Sequence, residues 1–230
     1  MNDQDPCWPC EQDVIEKLPP CPLQCRSEKC KAFKKISLEG IPIVWVLGGP
    51  GSGKGTQCEK ILKKYGFILL LTDALVREEV KSGSVRGKCL SKILERNDTA
   101  PSDVTIDLLK DAIYKSARAA KGFLLDGFPK EKSQAVMFEK RIRPCTVIFY
   151  LEATSDTLTK RIMKREPSAN EQAVKQRVKA TFEVDELLLA AYSDKAFRIN
   201  AENDADTMFR ELSEILDSFI PKNTGTTVLP

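Results

Sequence analysis

The stretch Gly48-Gly49-Pro50-Gly51-Ser52-Gly53-Lys54-Gly55-Thr56 holds the residues best suited to chemistry in this chain. Glycines allow backbone N–H groups to close around an anion, and a helix start behind them adds the positive end of its dipole. Lys54 is then a point charge aimed at the β- and γ-phosphates of a nucleotide, and the Thr56 hydroxyl faces a magnesium ion. The pattern departs from the usual phosphate-binding loop at Gly55, which stands where Ser or Thr normally follows the lysine. A merely flexible turn is the plain alternative, and the elements on either side argue against it.

A second signal is Asp126, which closes the apolar run Gly122-Phe123-Leu124-Leu125. A carboxylate at a strand end, downstream of a phosphate loop, can hold magnesium directly or through water. Alone, such an acid is as often a cap for the next helix. Phosphoryl chemistry also needs cations around the moving group, because its catalysis is mostly positioning and charge neutralisation. Arg77, Lys130, Arg161, Arg165 and Arg177 are the candidates, with Arg161 and Arg165 four apart on one helix face. Taken singly, each reads as a solvated surface charge before it reads as a ligand.

The elements that must position these residues are legible as alternating patterns. Ile41 to Leu47 is a buried strand ahead of the glycines, and Cys58, Ile61, Leu62 and Tyr65 mark a helix after them, stopped by Gly66. Further strands are expected at 67–71, 122–126, 146–151 and 197–200. Helices are expected at 74–80 (capped by Thr72-Asp73), 84–96, from Ser102 with Val104, Leu108, Leu109, Ile113 and Tyr114 inward, and at 131–140, 155–164, 171–192 and 205–219. Strands alternating with helices predict an α/β fold with a parallel sheet and right-handed crossovers.

With 230 residues the chain is expected to hold one folded domain, 41–220, between an N-terminal tail, 1–40, and a C-terminal tail, 221–230. Net charge is +3, from 36 basic and 33 acidic residues, which offers no broad field for nucleic acid. The absence of histidine excludes His triads, His metal sites and His general bases. No run approaches the ~20 apolar residues of a membrane span. The N-terminus is acidic and lacks a signal sequence, so a cytoplasmic place is expected. Cys7, Cys10, Cys21, Cys25 and Cys30 lie among prolines in the tail. Cys7 and Cys10 with Cys21 and Cys25 could grip zinc, but the loose second pair favours a disordered tail with reduced thiols. Cys58, Cys89 and Cys145 read as small buried hydrophobes.

The glycine loop followed by Gln57-Cys58-Glu59-Lys60 resembles the first helix and loop of adenylate kinases, whose version also reads lysine-glycine-threonine. Ser82 to Lys88, Lys121 to Pro129 and Asn200-Ala201-Glu202 are similar to further blocks of that family, in order, and the resemblance covers about 41–220. It implies a five-stranded parallel sheet of the P-loop NTPase type and a short-lid, cytosolic nucleoside monophosphate kinase, expected to act as a monomer. On that resemblance Gly49, Pro50, Gly51, Ser52, Gly53, Lys54, Gly55 and Thr56 bind the ATP phosphates and Arg161 stacks on the ATP base. Thr72, Arg77, Gly127, Lys130 and Gln134 hold AMP, with Gln134 reading adenine. Lys54, Lys130, Arg165 and Arg177 surround the transferred phosphate, Thr56 and Asp126 hold magnesium, and Pro129 follows a cis bond.

The departures are as informative. Where the family has glycine and an acid at the AMP pocket, this chain has Asp73 and Ala74, and Lys130 replaces an arginine fork. The lid is cut to Glu166-Pro167-Ser168-Ala169-Asn170, without one transition-state arginine. Three readings follow: phosphoryl transfer from ATP to AMP; a degenerate ATP-binding scaffold or sensor; and a P-loop ATPase with another partner.

Overall fold

The computed structural model describes residues 36–220 apart from Asn97. Five strands alternate with helices: β1 (Ile43–Leu47), α1 (Lys54–Tyr65), β2 (Ile68–Leu71), α2 (Thr72–Lys81), α3 (Val85–Glu95), α4 (Ser102–Ser116) and β3 (Phe123–Asp126). There follow α5 (Lys132–Arg141), β4 (Val147–Glu152), α6 (Ser155–Arg165), α7 (Glu171–Ala191), β5 (Ala196–Asn200) and α8 (Ala205–Phe219). The sheet is parallel throughout, in the order β2-β3-β1-β4-β5. Every residue of β1 is buried, as a central parallel strand covered on both faces requires.

Side chains alternate along β1 into two cores. Trp45 enters the first, meeting Phe128, Phe138 and Tyr192 edge-on at ring-centroid distances of 5.5, 5.5 and 5.6 Å. Val44 and Val46 enter the second with Cys58 and Ile61 of α1, Ile162 of α6 and Leu212 and Leu216 of α8. A smaller cluster of Val76, Leu90, Val104 and Leu108 ties α2, α3 and α4 together at one end.

This layering puts the C-terminal ends of β1, β2 and β3 on one edge. Asp126 is level with Val46 on one side and with Leu71 on the other. The glycine loop, Asp126 and the start of α2 therefore share one crevice, at the strand where the connections turn from one side of the sheet to the other.

The expected strands and helices are present to within a few residues, and the Phe128–Pro129 bond is cis. Two expectations need correcting. Thr72 and Asp73 do not cap a helix: α2 begins at Thr72, Leu71 is its N-cap, and no side chain caps it. Their polar atoms turn instead to a neighbouring loop, Thr72 Oγ1 donating to the Gly127 carbonyl at 3.2 Å and Asp73 pairing with Lys130. Cys89 is only half-buried, on the flank of α3, whereas Cys58 and Cys145 are buried and desolvation pushes both thiols up to about 12. The tail cysteines at 7, 10, 21, 25 and 30, with the possible zinc site and residues 1–35 and 221–230, lie outside the described residues, whereas Leu38, within the expected 1–40 tail, is buried in the first core.

Candidate functional site

The loop from Gly48 to Gly53 is shaped by local sterics. Gly48, Gly51 and Gly53 have φ of 132°, 86° and 94°, which other residues rarely adopt. A Cβ on Gly49 would lie 2.4 Å from Leu158 Cδ1, so the loop packs directly on α6. Gly53 is the N-cap of α1 and supplies no side-chain acceptor, and the first turn holds no acid. The opening N–H groups are thus left for an anion. Gly55 is an ordinary helical position, and a Cβ there would meet nothing within 4 Å. Thr56 is exposed on the same turn, and the Ser52 hydroxyl is buried with no hydrogen-bond partner.

Lys54 folds back over this loop. Its Nζ donates to the carbonyls of Gly48 at 2.6 Å and Gly49 at 3.1 Å. Burial lowers its pKa, while the carboxylates of Asp126 and Asp185 oppose that shift. Asp126 is half-buried; desolvation raises its carboxyl, against the pull of Lys54 and the Gly127 N–H. Arg161 donates to the carbonyl of Ala201 at 2.9 Å and of Gly51 at 3.4 Å, which holds its guanidinium at the rim of the loop.

Asp185 of α7 was not anticipated. It is 4% exposed, and its Oδ2 is buried without a partner. Desolvation pushes its pKa to about 6, with the Lys54 charge pulling the other way. The signal was available: Val178, Asp185 and Leu189 lie on one buried stripe of α7, so the acid interrupts an apolar face. The sign of its effect follows from the shift. An acid whose pKa is higher folded than unfolded binds its proton more tightly in the native state, so its contribution is greatest below pH ~4 and is lost as pH rises through about 6. Asp185→Asn is therefore expected to raise stability at pH 7.5 by on the order of 2 kcal/mol and to leave it nearly unchanged at pH 4. Urea denaturation at the two pH values measures this, and equal gains at both would contradict it.

A cavity of about 500 Å³ lies between α2, the end of α3, the start of α4 and the turn after β3. Thr72, Asp73, Arg77, Ser102, Lys130 and Gln134 are on its wall. Lys130 Nζ is 2.7 Å from Asp73 Oδ1 at the mouth, with side-chain exposures of 50% and 66%. Gln134 lies deep, 6% exposed. The structure therefore brings together Thr72, Arg77, Lys130 and Gln134 around one space, with Gly127 in contact with Thr72.

The remaining arginines are less committed. Arg165 pairs with its neighbour Glu166 at 2.7 Å. Arg177 is exposed on α7, yet close enough to Lys54 for its charge to lower the lysine's pKa. Between α6 and α7 the chain makes only a tight turn, closed by the Ala169 N–H on the Glu166 carbonyl at 3.0 Å and by Asn170 capping α7. Arg165 and Arg177 thus face a short connection rather than an extended flap.

The adenylate kinase family model matches residues 46–197. Adenylate kinase isoenzyme 1 of Gallus gallus is 42% identical over 182 residues, covering 76% of this chain and 94% of its own. That of Homo sapiens is 40% identical over 188 residues, 79% of this chain and 97% of its own. Adenylate kinase 1 of Drosophila melanogaster is 40% identical over 223 residues, 93% of this chain and 94% of its own.

Proposed function

The chain belongs to the adenylate kinase family and is an ATP-dependent nucleoside monophosphate kinase; from this premise we propose how its own residues carry the transfer. The γ-phosphoryl group of ATP, lying on the Gly49–Thr56 loop, passes in line to the phosphate of AMP in the cavity bounded by Thr72, Arg77, Lys130 and Gln134. The observation that carries this reading is the shared edge: Asp126 is in register with both Val46 and Leu71, so the loop after β1 and the cavity after β2 and β3 open onto one crevice.

In the resting protein the Lys54 ammonium occupies the carbonyls of Gly48 and Gly49. On binding ATP it turns to the phosphates, where a desolvated cation is worth more than in water. Arg161 lines the base end, and Arg165 and Arg177 close on the transferred phosphate from α6 and α7. A hydroxyl from Thr56 and a carboxylate from Asp126 form an oxygen set that suits magnesium. Asp126 is partly desolvated, accepts from the Gly127 N–H and lies in the field of Lys54, and its carboxylate keeps lone pairs for a cation. The magnesium that accompanies ATP supplies charge neutralisation at the phosphates. A place in the cytoplasm, where ATP and magnesium are abundant, and a monomeric state belong to the same proposal.

Two cations are already paired with acids of this chain, Lys130 with Asp73 and Arg165 with Glu166. That pairing supports a slow transfer and a weak AMP site rather than a different reaction. Formation of ADP from ATP and AMP in magnesium buffer, with CMP and UMP as comparison acceptors, is the test. AMP left unconsumed while ATP is bound would overturn the reading.

A further inference from the structure

We propose that Glu131 and Ser102 are positioning residues that lock the orientation of the Gln134 amide, and so make the cavity favour adenine over 6-oxopurines. The inference rests on the cavity being the nucleoside monophosphate site. Its basis is a chain of hydrogen bonds that can run in one direction only. The Lys130 backbone N–H donates to Gln134 Oε1 at 3.0 Å. A backbone N–H cannot accept, so the amide oxygen has to lie on that side. Gln134 Nε2 is 3.1 Å from Ser102 Oγ, and Ser102 Oγ is 2.8 Å from Glu131 Oε1. An ionised carboxylate only accepts, so the serine proton points to Glu131 and a serine lone pair is left for the amide N–H. Hydrogen bonds from Ser133 and Ser102 hold the Glu131 carboxyl below the usual range, so it remains ionised at neutral pH.

Both ends of Gln134 are therefore specified, by groups on two segments: the adjoining Lys130 and Glu131 between β3 and α5, and Ser102 in the first turn of α4. One N–H and one oxygen lone pair remain for a ligand. Adenine offers an amino donor beside a ring-nitrogen acceptor, which matches that pair. A 6-oxopurine puts an acceptor where the amino group was. To meet it the amide would have to turn over, setting Nε2–H against the Lys130 N–H and Oε1 against the serine lone pair. A base turned over in place of the amide would draw its ribose and phosphate away from the Arg77 and Lys130 side chains that line the same cavity.

Ser102 makes no capping bond to α4, so removing its hydroxyl leaves the helix start intact. The full chain, its Ser102→Ala, Ser102→Thr and Glu131→Gln variants are compared for AMP and IMP by calorimetric Kd and by kcat/KM. In the unmodified chain AMP is expected to bind more tightly than IMP. Ser102→Ala and Glu131→Gln are expected to shrink that preference roughly five- to tenfold, the size of one hydrogen bond, while Ser102→Thr restores it. The change falls on Kd and KM, with kcat for AMP within about twofold. An unchanged AMP-to-IMP ratio in both Ser102→Ala and Glu131→Gln, or a ratio not restored by Ser102→Thr, overturns the inference. If AMP is preferred in binding but never phosphorylated, the lock stands and the kinase reading falls. If neither nucleotide binds, both fall.

Discussion

Lys54→Ala is expected to lower kcat for ADP formation by ~10²–10³, the loss typical of removing one preorganised charge from a transition state. Lys54 is the first residue of α1 and reaches back across the loop to two carbonyls, so its ammonium already lies over the concavity where phosphates are expected. Burial depresses its pKa, yet two acids oppose the shift, and the group remains a cation held in a partly dry site. Such a charge needs little reorganisation when negative charge moves from the leaving to the accepting oxygen. Stability should change less than activity, because the lost bonds are two contacts to loop carbonyls. Circular dichroism and ATP binding confirm that the variant is folded. A loss below tenfold in a folded variant would remove Lys54 from the transfer.

The second large effect is a gain. Asp73→Asn is expected to lower the KM for AMP about tenfold and to leave kcat near its starting value. The Asp73–Lys130 pair is exposed on both sides, and such pairs contribute only ~0–1 kcal/mol to stability. Its cost falls on the ligand. An AMP phosphate at the cavity mouth would meet a carboxylate and a lysine that is already neutralised. Two charges about 6 Å apart interact by roughly 0.7 kcal/mol in water and roughly 2.8 kcal/mol near a protein surface, and a tenfold change lies between these limits. The asparagine keeps the shape and the hydrogen-bonding oxygen while removing the charge. The gain should diminish at high ionic strength, where screening already weakens the repulsion. Steady-state kinetics at two salt concentrations measures both. A damaged fold cannot improve KM, so a fall is diagnostic, and an unchanged or higher KM in a variant shown folded by circular dichroism counts against the ion pair as an obstacle to AMP.

The parts legible in the sequence are those whose cause is local. β1 reads as an uninterrupted apolar run because a central parallel strand is covered on both faces. The phosphate loop is legible because its glycines stand at fixed offsets between a strand and a helix. Asp126 is legible because a charge ending an apolar run has few uses. What could not be read depends on residues far apart in the chain. Asp73 and Lys130 meet across 57 positions, and Ser102 and Gln134 across 32. Thr72 looked like a cap because a hydroxyl beside an acid suits a helix start; the Gly127 carbonyl competed for it and won. A charge in a long helix reads as solvated, which hides Asp185 in the sequence, although it falls on the apolar stripe of α7. Ser102 and Glu131 resembled ordinary polar residues at helix starts. Their connection to Gln134 is a property of how α4 and α5 pack.

The measurement that tests the account most directly is the fate of the terminal phosphate. ATP labelled in its γ-phosphate is incubated with the protein, magnesium and unlabelled AMP, and the products are separated. Direct transfer from the loop at Gly49–Thr56 to the cavity at Gln134 predicts label in the β-phosphate of ADP, dependent on AMP and abolished by Lys54→Ala. Label released as inorganic phosphate at the same rate with or without AMP would contradict it.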